Sequence, residues 1–451
     1  MPRVAAFRGL HYPLERFGGT RIPERVRLPD EGPDHPGRVA DLTDLACPPY
    51  DVIAPRQRDE LLARHPWNAV RLELSAEPEP HAAAAATLAA WRADGVLAEA
   101  PAASIYYYAH AAAHDPDRPA VHGVLCRVLL EPWGADVRPH EHTMPGPKDD
   151  RLRLLRATRT QLSPILALYF DRSERYRHVM SRAWSDEWRA RDADGLLHTL
   201  AAVEPDERLV NYLSRQRLFV ADGHHRYETA LAYRAEVRAE TGNAQAAPGA
   251  LAADWIMAVL VNAQLEELEI RPTHRILADA DPDALRRLVD EPGPLFAAER
   301  VPSAALATRL AERRDGAAPV FGLVLPGDEA YLLTGQPDAL EERMRQERTS
   351  TAVRRLDLAV LHAAILGDRL GIGRAEVAAG RVLAYTRDAG EALDRVRSGT
   401  AAAAVLVRAT RLDQLAAVAT AGDVMPQKST FFHPKLVTGL VFNPLDDERG
   451  A

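Results

Sequence analysis

The feature that most constrains the fold is the stretch RLFVADGHHRYETALAY at residues 217–233. Residues 218–221 have the apolar character of the end of a buried strand, and Asp222 and Gly223 have turn chemistry. Residues with helical spacing follow them. A strand, a glycine turn and a helix start form a geometry suited to holding an anion, because the first backbone N–H groups of a helix point outward.

The residues at this predicted helix start have the wrong charge for a bare helix. His224, His225 and Arg226 place cationic or potentially cationic side chains at the positive end of the helix dipole. Each charge there costs about 0.3–1 kcal/mol unless a bound anion reverses the sign. The alternative interpretation is an Asp222 N-cap followed by exposed polar residues.

The composition excludes several classes of protein. A net charge of −8 over 451 residues argues against binding nucleic acid over a wide basic face. Two cysteines, Cys47 and Cys126, make neither a disulfide framework nor a zinc site. Since the sequence has no basic segment followed by an apolar run, and no apolar stretch near 20 residues, we expect neither signal peptide nor membrane span, and a cytoplasmic protein.

A rigid loop is predicted at CPPYDVIAP, residues 47–55. The Pro48–Pro49 pair fixes an extended backbone and presents Tyr50 and Asp51, in a loop type that commonly positions ligand contacts. A plain connector is the alternative. Residues 69–74 alternate like a strand, and Arg71 on one face is in a position to contact a phosphate or to pair with a neighbouring carboxylate.

Two further predictions concern elements outside the candidate site segments. Residues 176–188 are predicted to form a helix, and residues 104–110 and 120–130 are predicted to form strands. Because the intervening HDPDRPA has turn chemistry, we expect these two strands to form a hairpin.

A second segment with candidate site residues covers 138–164. His140, Glu141 and His142 suggest a metal if the segment is a strand, although they lack the His-Glu-x-x-His spacing of a helical zinc site. Asp149 and Asp150 are predicted to begin a helix with the correct charge for its dipole. Arginines recur along that helix every three residues, at 153, 156 and 159, which predicts either a binding face or an exposed arginine face.

Two later segments add basic residues. His274 and Arg275 lie shortly after the apolar strand predicted over residues 254–262. Near its end the sequence contains Lys428-Ser429-Thr430 and His433-Pro434-Lys435. A polyphosphate is the simplest single ligand that would use backbone N–H groups, guanidinium groups and lysine charges together. The sequence has no P-loop, no Rossmann glycine motif and no Gly-x-Ser-x-Gly elbow.

ADGHHRYETAL, residues 221–231, resembles the hallmark of the bacterial domain-of-unknown-function 1015 family. The Pro-Pro-Tyr-Asp-Val loop, the Asn-x-x-Arg-Leu, Pro-Thr-His-Arg and His-Glu-x-Thr elements, and the closing Lys-Ser-Thr segment resemble the same family. That family is in turn similar to the ParB-like and sulfiredoxin-like nucleotide-binding superfamily, whose free-serine kinases carry a similar Asp-Gly-His-His-Arg turn.

The resemblance implies a mixed α/β (α+β) fold. It consists of a large ParB/sulfiredoxin-like mixed-sheet domain over residues 1–285 and a smaller α/β domain over 286–451, whose C-terminal segment returns to the site. It also implies binding of ATP or ADP, with CTP as an alternative, together with Mg²⁺ and a small-molecule substrate. Nucleic acid is disfavoured, no membrane partner is expected, and a homodimer is left open.

The expected site residues fall into three groups. The nucleotide contacts are Gly223, His224, His225, Arg226, Lys148, Arg151, Ser163, Lys428, Ser429, Thr430 and Lys435. The substrate contacts are Tyr50, Asp51, Arg71, His140, His274 and Arg275. The catalytic residues are Glu141, Asp222 and His225, and Glu141 and Asp222 are also the expected Mg²⁺ ligands.

Glu141 is the favoured base. Asp222 is expected to cap its helix, which would lower its pKa, whereas Glu141 has no such local duty. The predicted activity is nucleotide-dependent phosphotransfer to a small hydroxyl compound such as serine or a related amino acid. The alternatives are a ParB-like nucleotide-binding regulatory module without turnover, and a metal-dependent hydrolase that uses His140, His142 and His274.

Overall fold

The computed structural model describes residues 3–18, 38–112, 121–141, 145–173, 186–243, 245–313, 318–378, 380 and 382–446. The chain divides into two compact units. Unit 1 comprises Met1–Pro139, Met144–Leu268 and Pro434–Ala451, and unit 2 comprises His140–Thr143 and Glu269–His433. The division therefore differs from the predicted one at residue 285, because unit 2 begins at Glu269 and takes in a short earlier segment.

Unit 1 is built on a mixed sheet of ten strands among the described residues. Its core is formed by apolar side chains of the central strands. The strands, in order across the sheet, are Arg38–Asp41, Asp186–Arg191, Leu196–Val203, Ile105–Ala112, Val121–Leu129, Trp255–Asn262, Ile165–Tyr169, Leu218–Asp222 and Val137–Pro139, with Val4–Ala5 paired to Val121–Leu129. Two small strand pairs join Leu10–His11 to Ala98–Glu99 and Thr160–Gln161 to Asn443–Pro444.

Helices flank this sheet. The described α-helices of unit 1 are Leu14–Phe17, Pro55–Arg64, Val70–Glu73, Pro80–Ala93, Pro145–Thr158, Glu207–Leu213 and His224–Glu240, and the 3-10 helices are Tyr50–Val52 and Ala252–Asp254. None of the helices within the described ranges is long and apolar enough to cross a bilayer.

Unit 2 contains a six-stranded antiparallel sheet. Its strands, in order, are Phe296–Val301, Glu329–Gly335, Val320–Leu325, Ala403–Leu406, His274–Leu277 and Leu383–Thr386, and a separate pair joins Glu269–Arg271 to Phe431–His433. Its described helices are Pro282–Asp290, Ser303–Ala305, Leu306–Glu312, Pro337–Met344, Thr351–Arg354, Asp357–Val360, the π-helix Leu361–Gly367, Arg374–Ala378, Ala389–Arg397 and Leu412–Thr420.

The mixed α/β fold class is confirmed, and three local predictions were wrong. Residues 69–74 form a helical turn, Val70–Glu73, because the Asn68 side chain accepts a hydrogen bond from Val70 N at 2.9 Å and starts a turn. The helix predicted from Asp149 begins earlier, at Pro145, where a proline needs no N–H partner. Trp188, predicted to end a helix over 176–188, lies in a strand, and residues 174–185 are outside the described ranges.

Candidate functional site

The strand, turn and helix predicted around Asp222 are all present in unit 1. Strand Leu218–Asp222 ends at the turn, and Gly223 leads into helix His224–Glu240. Gly223 has φ = +90°, in the left-handed region where a side chain is strained. A Cβ at this position would lie 2.7 Å from Ile165 Cγ2 and 3.0 Å from Arg226 Nε, so both the backbone angle and the close packing require glycine.

Two cations converge on the carboxylate of Asp222. Lys435 Nζ donates to Asp222 Oδ1, and Arg226 Nη2 donates to Oδ2 at 2.6 Å. Arg226 Nη1 donates to the carbonyl oxygen of Pro164, which holds the guanidinium against the turn. All three charged side chains are 12–13% exposed. We call this arrangement, Asp222, Gly223, Arg226 and Lys435 with the start of the helix, the Asp222 turn.

The electrostatics of the Asp222 turn decide what Asp222 can do. Burial raises the pKa of Asp222, but Lys435 and Arg226 outweigh it and hold the pKa well below its usual range. A carboxylate with so low a pKa is a poor general base. The expectation that Asp222 caps the helix was wrong, since Gly223 is the N-cap and no side chain caps there. Asp222 instead positions two cations.

Aromatic side chains surround the first turn of this helix. His224 is buried, and its ring centroid lies 6.3 Å from that of Trp133. The Trp133 ring stacks on Tyr227 at 4.1 Å, and Tyr227 Oη donates to the carbonyl oxygen of Glu131 at 2.9 Å. His225 is partly buried. The helix start is therefore fixed by packing of Tyr227 as well as by the Asp222 ion pairs.

Several predicted ligand contacts in unit 1 are engaged in ion pairs within the protein. Lys148 Nζ donates to Glu228 Oε2 at 2.6 Å. Arg151 Nη1 donates to Glu73 Oε2 at 3.0 Å, and its guanidinium lies 4.1 Å from the centroid of the Tyr50 ring. Because Arg151 and Glu73 are both buried, this pair serves to join elements of the fold.

The other predicted contacts of unit 1 are dispersed. Asp51 is exposed on the 3-10 helix Tyr50–Val52, and Arg71 Nη2 donates to the carbonyl oxygen of Leu62 at 2.7 Å. Ser163 is buried immediately before Pro164, whose carbonyl binds Arg226. Burial, followed by the charge of Asp51, raises the pKa of the Tyr50 phenol. The predicted arginine face pairs with carboxylates on the surface, Arg153 with Asp149 and Arg156 with Glu236.

A second carboxylate site lies in unit 2, around Glu141. Lys428 N donates to Glu141 Oε1 at 2.7 Å, and Ser429 N donates to Oε2 at 3.3 Å. Lys428 has φ = +56°, a left-handed conformation that turns successive N–H groups towards one anion. His140 Nε2 lies 2.7 Å from Thr430 Oγ1 in the same segment. We call these residues the Glu141 loop.

The pKa of Glu141 moves in the opposite direction to that of Asp222. Burial raises it, and the backbone N–H and charge of Lys428, the Ser429 N–H and the charge of Arg275 only partly oppose the burial. The premise that Glu141 has no local duty was wrong, since its carboxylate accepts two backbone hydrogen bonds. Its raised pKa nevertheless makes it a stronger base than Asp222.

Arg275 holds the backbone of the Glu141 loop through hydrogen bonds. Its Nη2 donates to the carbonyl oxygens of Gln427 and Lys428, each at 3.1 Å, and burial lowers its pKa to about 10. His274 Nδ1 accepts from Val407 N at 3.2 Å, and burial lowers its pKa to about 4. Both predicted substrate contacts are thus buried groups with partners inside unit 2.

No cluster of three or more potential metal ligands occurs among the residues with described positions. Two of the residues named for metal chemistry are Asp222 and Glu141, and each carboxylate oxygen already accepts from a cationic or backbone donor. Either carboxylate would have to exchange these donors for the metal in order to bind Mg²⁺, and Mg²⁺ ligation by Asp222 and Glu141 stays a prediction. His142, the third histidine of the hydrolase hypothesis, lies outside the described ranges.

The sequence reasoning missed four contributors to the Asp222 turn and its surroundings: the Pro164 carbonyl, Trp133, Tyr227 and Glu228. Lysine use is a signal for the cations that were predicted, not for these four residues. Only three of the 56 Lys and Arg residues are lysine, at 148, 428 and 435, and all three lie in the segments singled out for phosphate binding.

The fold and the Asp222 turn define a mixed α/β protein with a cationic strand–glycine–helix turn. The chain belongs to the family described as "Protein of unknown function (DUF1015)", whose model matches residues 28–359. No curated protein matches the sequence.

Three solved structures show a distant likeness. A conserved hypothetical protein from Pyrococcus furiosus is 12% identical, with a TM-score of 0.33, over 70% of this chain and 92% of that one. Free serine kinase in complex with AMP is 12% identical, with a TM-score of 0.35, over 69% and 86%. C-terminally truncated SbnI from Staphylococcus aureus is 12% identical, with a TM-score of 0.35, over 70% and 85%. At these TM-scores the likenesses carry no argument about function, and the ParB/sulfiredoxin relationship stays a prediction.

Proposed function

We propose that the Asp222 turn binds the phosphates of a nucleotide and that the protein is a nucleotide-dependent phosphotransferase. The proposed acceptor is a small hydroxyl compound such as serine or a related amino acid, and the proposed nucleotide is ATP or ADP, with CTP as an alternative. The observation that carries the proposal is the convergence of Lys435 and Arg226 on a glycine turn at the start of a 17-residue helix.

The charges of the Asp222 turn favour an anion. Lys435 and Arg226 together exceed the single charge of Asp222 by one, and the helix start adds about half a positive charge. Phosphate oxygens match this combination of lysine charge, guanidinium and backbone N–H groups. Because phosphoryl transfer depends on positioned positive charge around the phosphate, the same groups would stabilise the transition state.

Asp222 and Glu141 take different parts in this proposal. Asp222 orients Lys435 and Arg226, and its low pKa argues against a role as base. Glu141 is the proposed base for the acceptor hydroxyl, supported by its raised pKa. Mg²⁺ bound with the nucleotide would supply further charge neutralisation. To ligate it, Asp222 or Glu141 would have to exchange a donor that its carboxylate now accepts from.

Calorimetric titration with ATP, ADP and CTP, each with and without Mg²⁺, tests the binding step. Lys435→Gln is expected to weaken nucleotide binding by roughly 1.5–3 kcal/mol, the scale of a charged hydrogen bond. The matched control is Arg153→Gln, which removes an exposed cation paired with Asp149 and is expected to leave affinity unchanged. Normal affinity in a folded Lys435→Gln protein would overturn the proposal.

The transfer step is tested by following phosphate from ATP or ADP to serine and other hydroxy amino acids. Glu141→Gln is expected to keep nucleotide affinity and to lower turnover by ~10²–10⁴-fold, the usual range for a general base. Nucleotide binding without transfer to any acceptor would instead support a regulatory module. Full turnover in Glu141→Gln would show that another group is the base.

A further inference from the structure

Unit 2 contains a cavity of about 240 Å³, separate in its lining from the residues assigned to phosphate binding. Apolar side chains form much of its wall, among them Met344, Val353 and Val377. Its polar lining consists of Thr349, His362, Gln427 and the pair Glu347 and Arg374. A cavity with a largely apolar wall and few polar groups is typical of a site for a small molecule.

Two polar atoms in the wall of this cavity lack partners. Thr349 Oγ1 and His362 Nε2 are both buried and have no hydrogen-bond partner in the part of the chain that the structure describes. A buried polar atom left unsatisfied costs about 1–3 kcal/mol, so native proteins keep few of them. Two at the wall of one cavity are expected where a bound molecule supplies the missing partners.

The backbone around His362 also has a feature that is common at functional sites. His362 and Ala363 lie on the π-helix Leu361–Gly367, where Asp368 N bonds to the carbonyl oxygen of Ala363 at 3.0 Å. Such helices are rare, occur mostly as single turns, and are frequent at functional sites. The irregular turn thus forms the part of the wall that carries one of the two unsatisfied groups.

The charged residues of the cavity neutralise each other. Arg374 is 77% exposed and donates to Glu347 Oε2 at 2.6 Å, while Glu347 Oε1 accepts from Arg343 at 3.0 Å. Burial, assisted by Arg275 and Arg374, lowers the pKa of His362 to about 3, so its ring is neutral at neutral pH. The remaining polar side chains of the wall are a neutral imidazole, a hydroxyl and the amide of Gln427, which match an uncharged ligand.

We propose that this cavity binds a small uncharged heterocycle whose ring edge carries both a hydrogen-bond donor and an acceptor. A cavity of about 150 Å³ holds benzene, so this one has room for a molecule of about ten non-hydrogen atoms. The apolar wall packs against the ring faces. A change of side-chain rotamer turns Thr349 Oγ1 or His362 Nε2 towards the donor–acceptor edge. The inference does not depend on the proposed phosphotransfer.

The first test compares three probes with the same fused two-ring skeleton by calorimetry on the full-length protein: 2-quinolone, naphthalene and 2-naphthoate. The uncharged lactam 2-quinolone is expected to bind at least tenfold more tightly than the apolar and anionic probes. Ala363→Leu should reduce its affinity at least tenfold by filling the cavity. The matched control, Ala416→Leu, changes a half-buried helix alanine outside the cavity and should leave affinity unchanged. Equal binding to the Ala363→Leu protein would overturn the proposal.

The second test separates a ligand-binding hydroxyl from a structural one. Thr349→Val keeps the side-chain shape and removes the unsatisfied oxygen, so the unfolding temperature should rise while affinity for 2-quinolone falls at least threefold. A lower unfolding temperature would show that the hydroxyl already has a partner and would count against the site. Unchanged affinity in this variant would count against it as well.

Discussion

Asp222 in unit 1 and Glu141 in unit 2 are two largely enclosed carboxylates held by different kinds of donor. Asp222 is held by the side chains of Lys435 and Arg226, whereas Glu141 is held by the backbone N–H groups of Lys428 and Ser429. The first arrangement lowers the pKa and the second leaves it raised. Two cations that donate directly to the carboxylate of Asp222 overcome the cost of burial. At Glu141, two backbone N–H groups and the charges of Lys428 and Arg275, which do not donate to its carboxylate from their side chains, do not overcome it.

The backbones of the two regions differ in a related way. Each has a residue in the left-handed region beside its carboxylate, Gly223 at φ = +90° and Lys428 at φ = +56°. Glycine adopts this conformation without strain, whereas lysine is strained by about 1–2 kcal/mol. The Asp222 turn is thus formed from residues that favour it locally, and the Glu141 loop is held in place by its surroundings, including Arg275.

Removing the charge of Asp222 should have the largest effect on stability. Asp222→Asn removes the carboxylate charge that Lys435 and Arg226 share, in a place where each is 12–13% exposed. We expect the free energy of unfolding, measured by urea denaturation, to fall by about 3–5 kcal/mol, as for a broken buried ion pair. Asp413→Asn, at an exposed pair with Arg411, should cost less than about 1 kcal/mol. Similar losses in the two variants would contradict the ion-pair account.

Acidification should affect the two carboxylates with opposite sign. The lowered pKa of Asp222 means that its stabilising contribution is present above its unfolded pKa of about 3.9 and is lost as the pH falls further. The raised pKa of Glu141 means that its contribution is complete below its unfolded pKa of about 4.3 and is lost as the pH rises through the folded value.

This difference is measured by denaturing the native protein, Asp222→Asn and Glu141→Gln at about pH 7 and at about pH 3.5. Relative to Asp222→Asn, the native protein should lose stability on acidification. Relative to Glu141→Gln, it should gain stability. The same sign for both pairs would show that one of the two pKa directions is wrong.

The predicted features that hold are the local ones. The strand, turn and helix around Gly223 follow from apolar spacing and one glycine, and the hairpin of Ile105–Ala112 and Val121–Leu129 follows from two apolar runs around turn residues. An alternating apolar pattern gives a wrong prediction where a side chain binds the backbone nearby. The side chain of Asn68 accepts from Val70 N, so the segment forms a helical turn and not a strand.

The partners of the site residues were not predictable in this way. Lys435 and Asp222 are 213 positions apart, and Lys428 and Glu141 are 287 apart. Charge type identifies such residues as candidates, but a sequence contains no distances, so Asp222 was given a capping role and Lys148 a phosphate-binding role when each has an ion-pair partner.

The smallest expected effect concerns the strained backbone of the Glu141 loop. Lys428→Gly should relieve about 1–2 kcal/mol of left-handed strain in the folded protein. Glycine also makes the unfolded chain more flexible, which lowers the free energy of unfolding by about 0.4–1 kcal/mol. We therefore expect the free energy of unfolding to rise by roughly 0.5–1 kcal/mol. Lys428→Ala removes the same amine but keeps the Cβ, so it should show no gain. The difference between the two variants in thermal denaturation isolates the backbone contribution. If glycine is no more stabilising than alanine at this position, the left-handed conformation of Lys428 is not a source of strain, and the contrast with Gly223 fails.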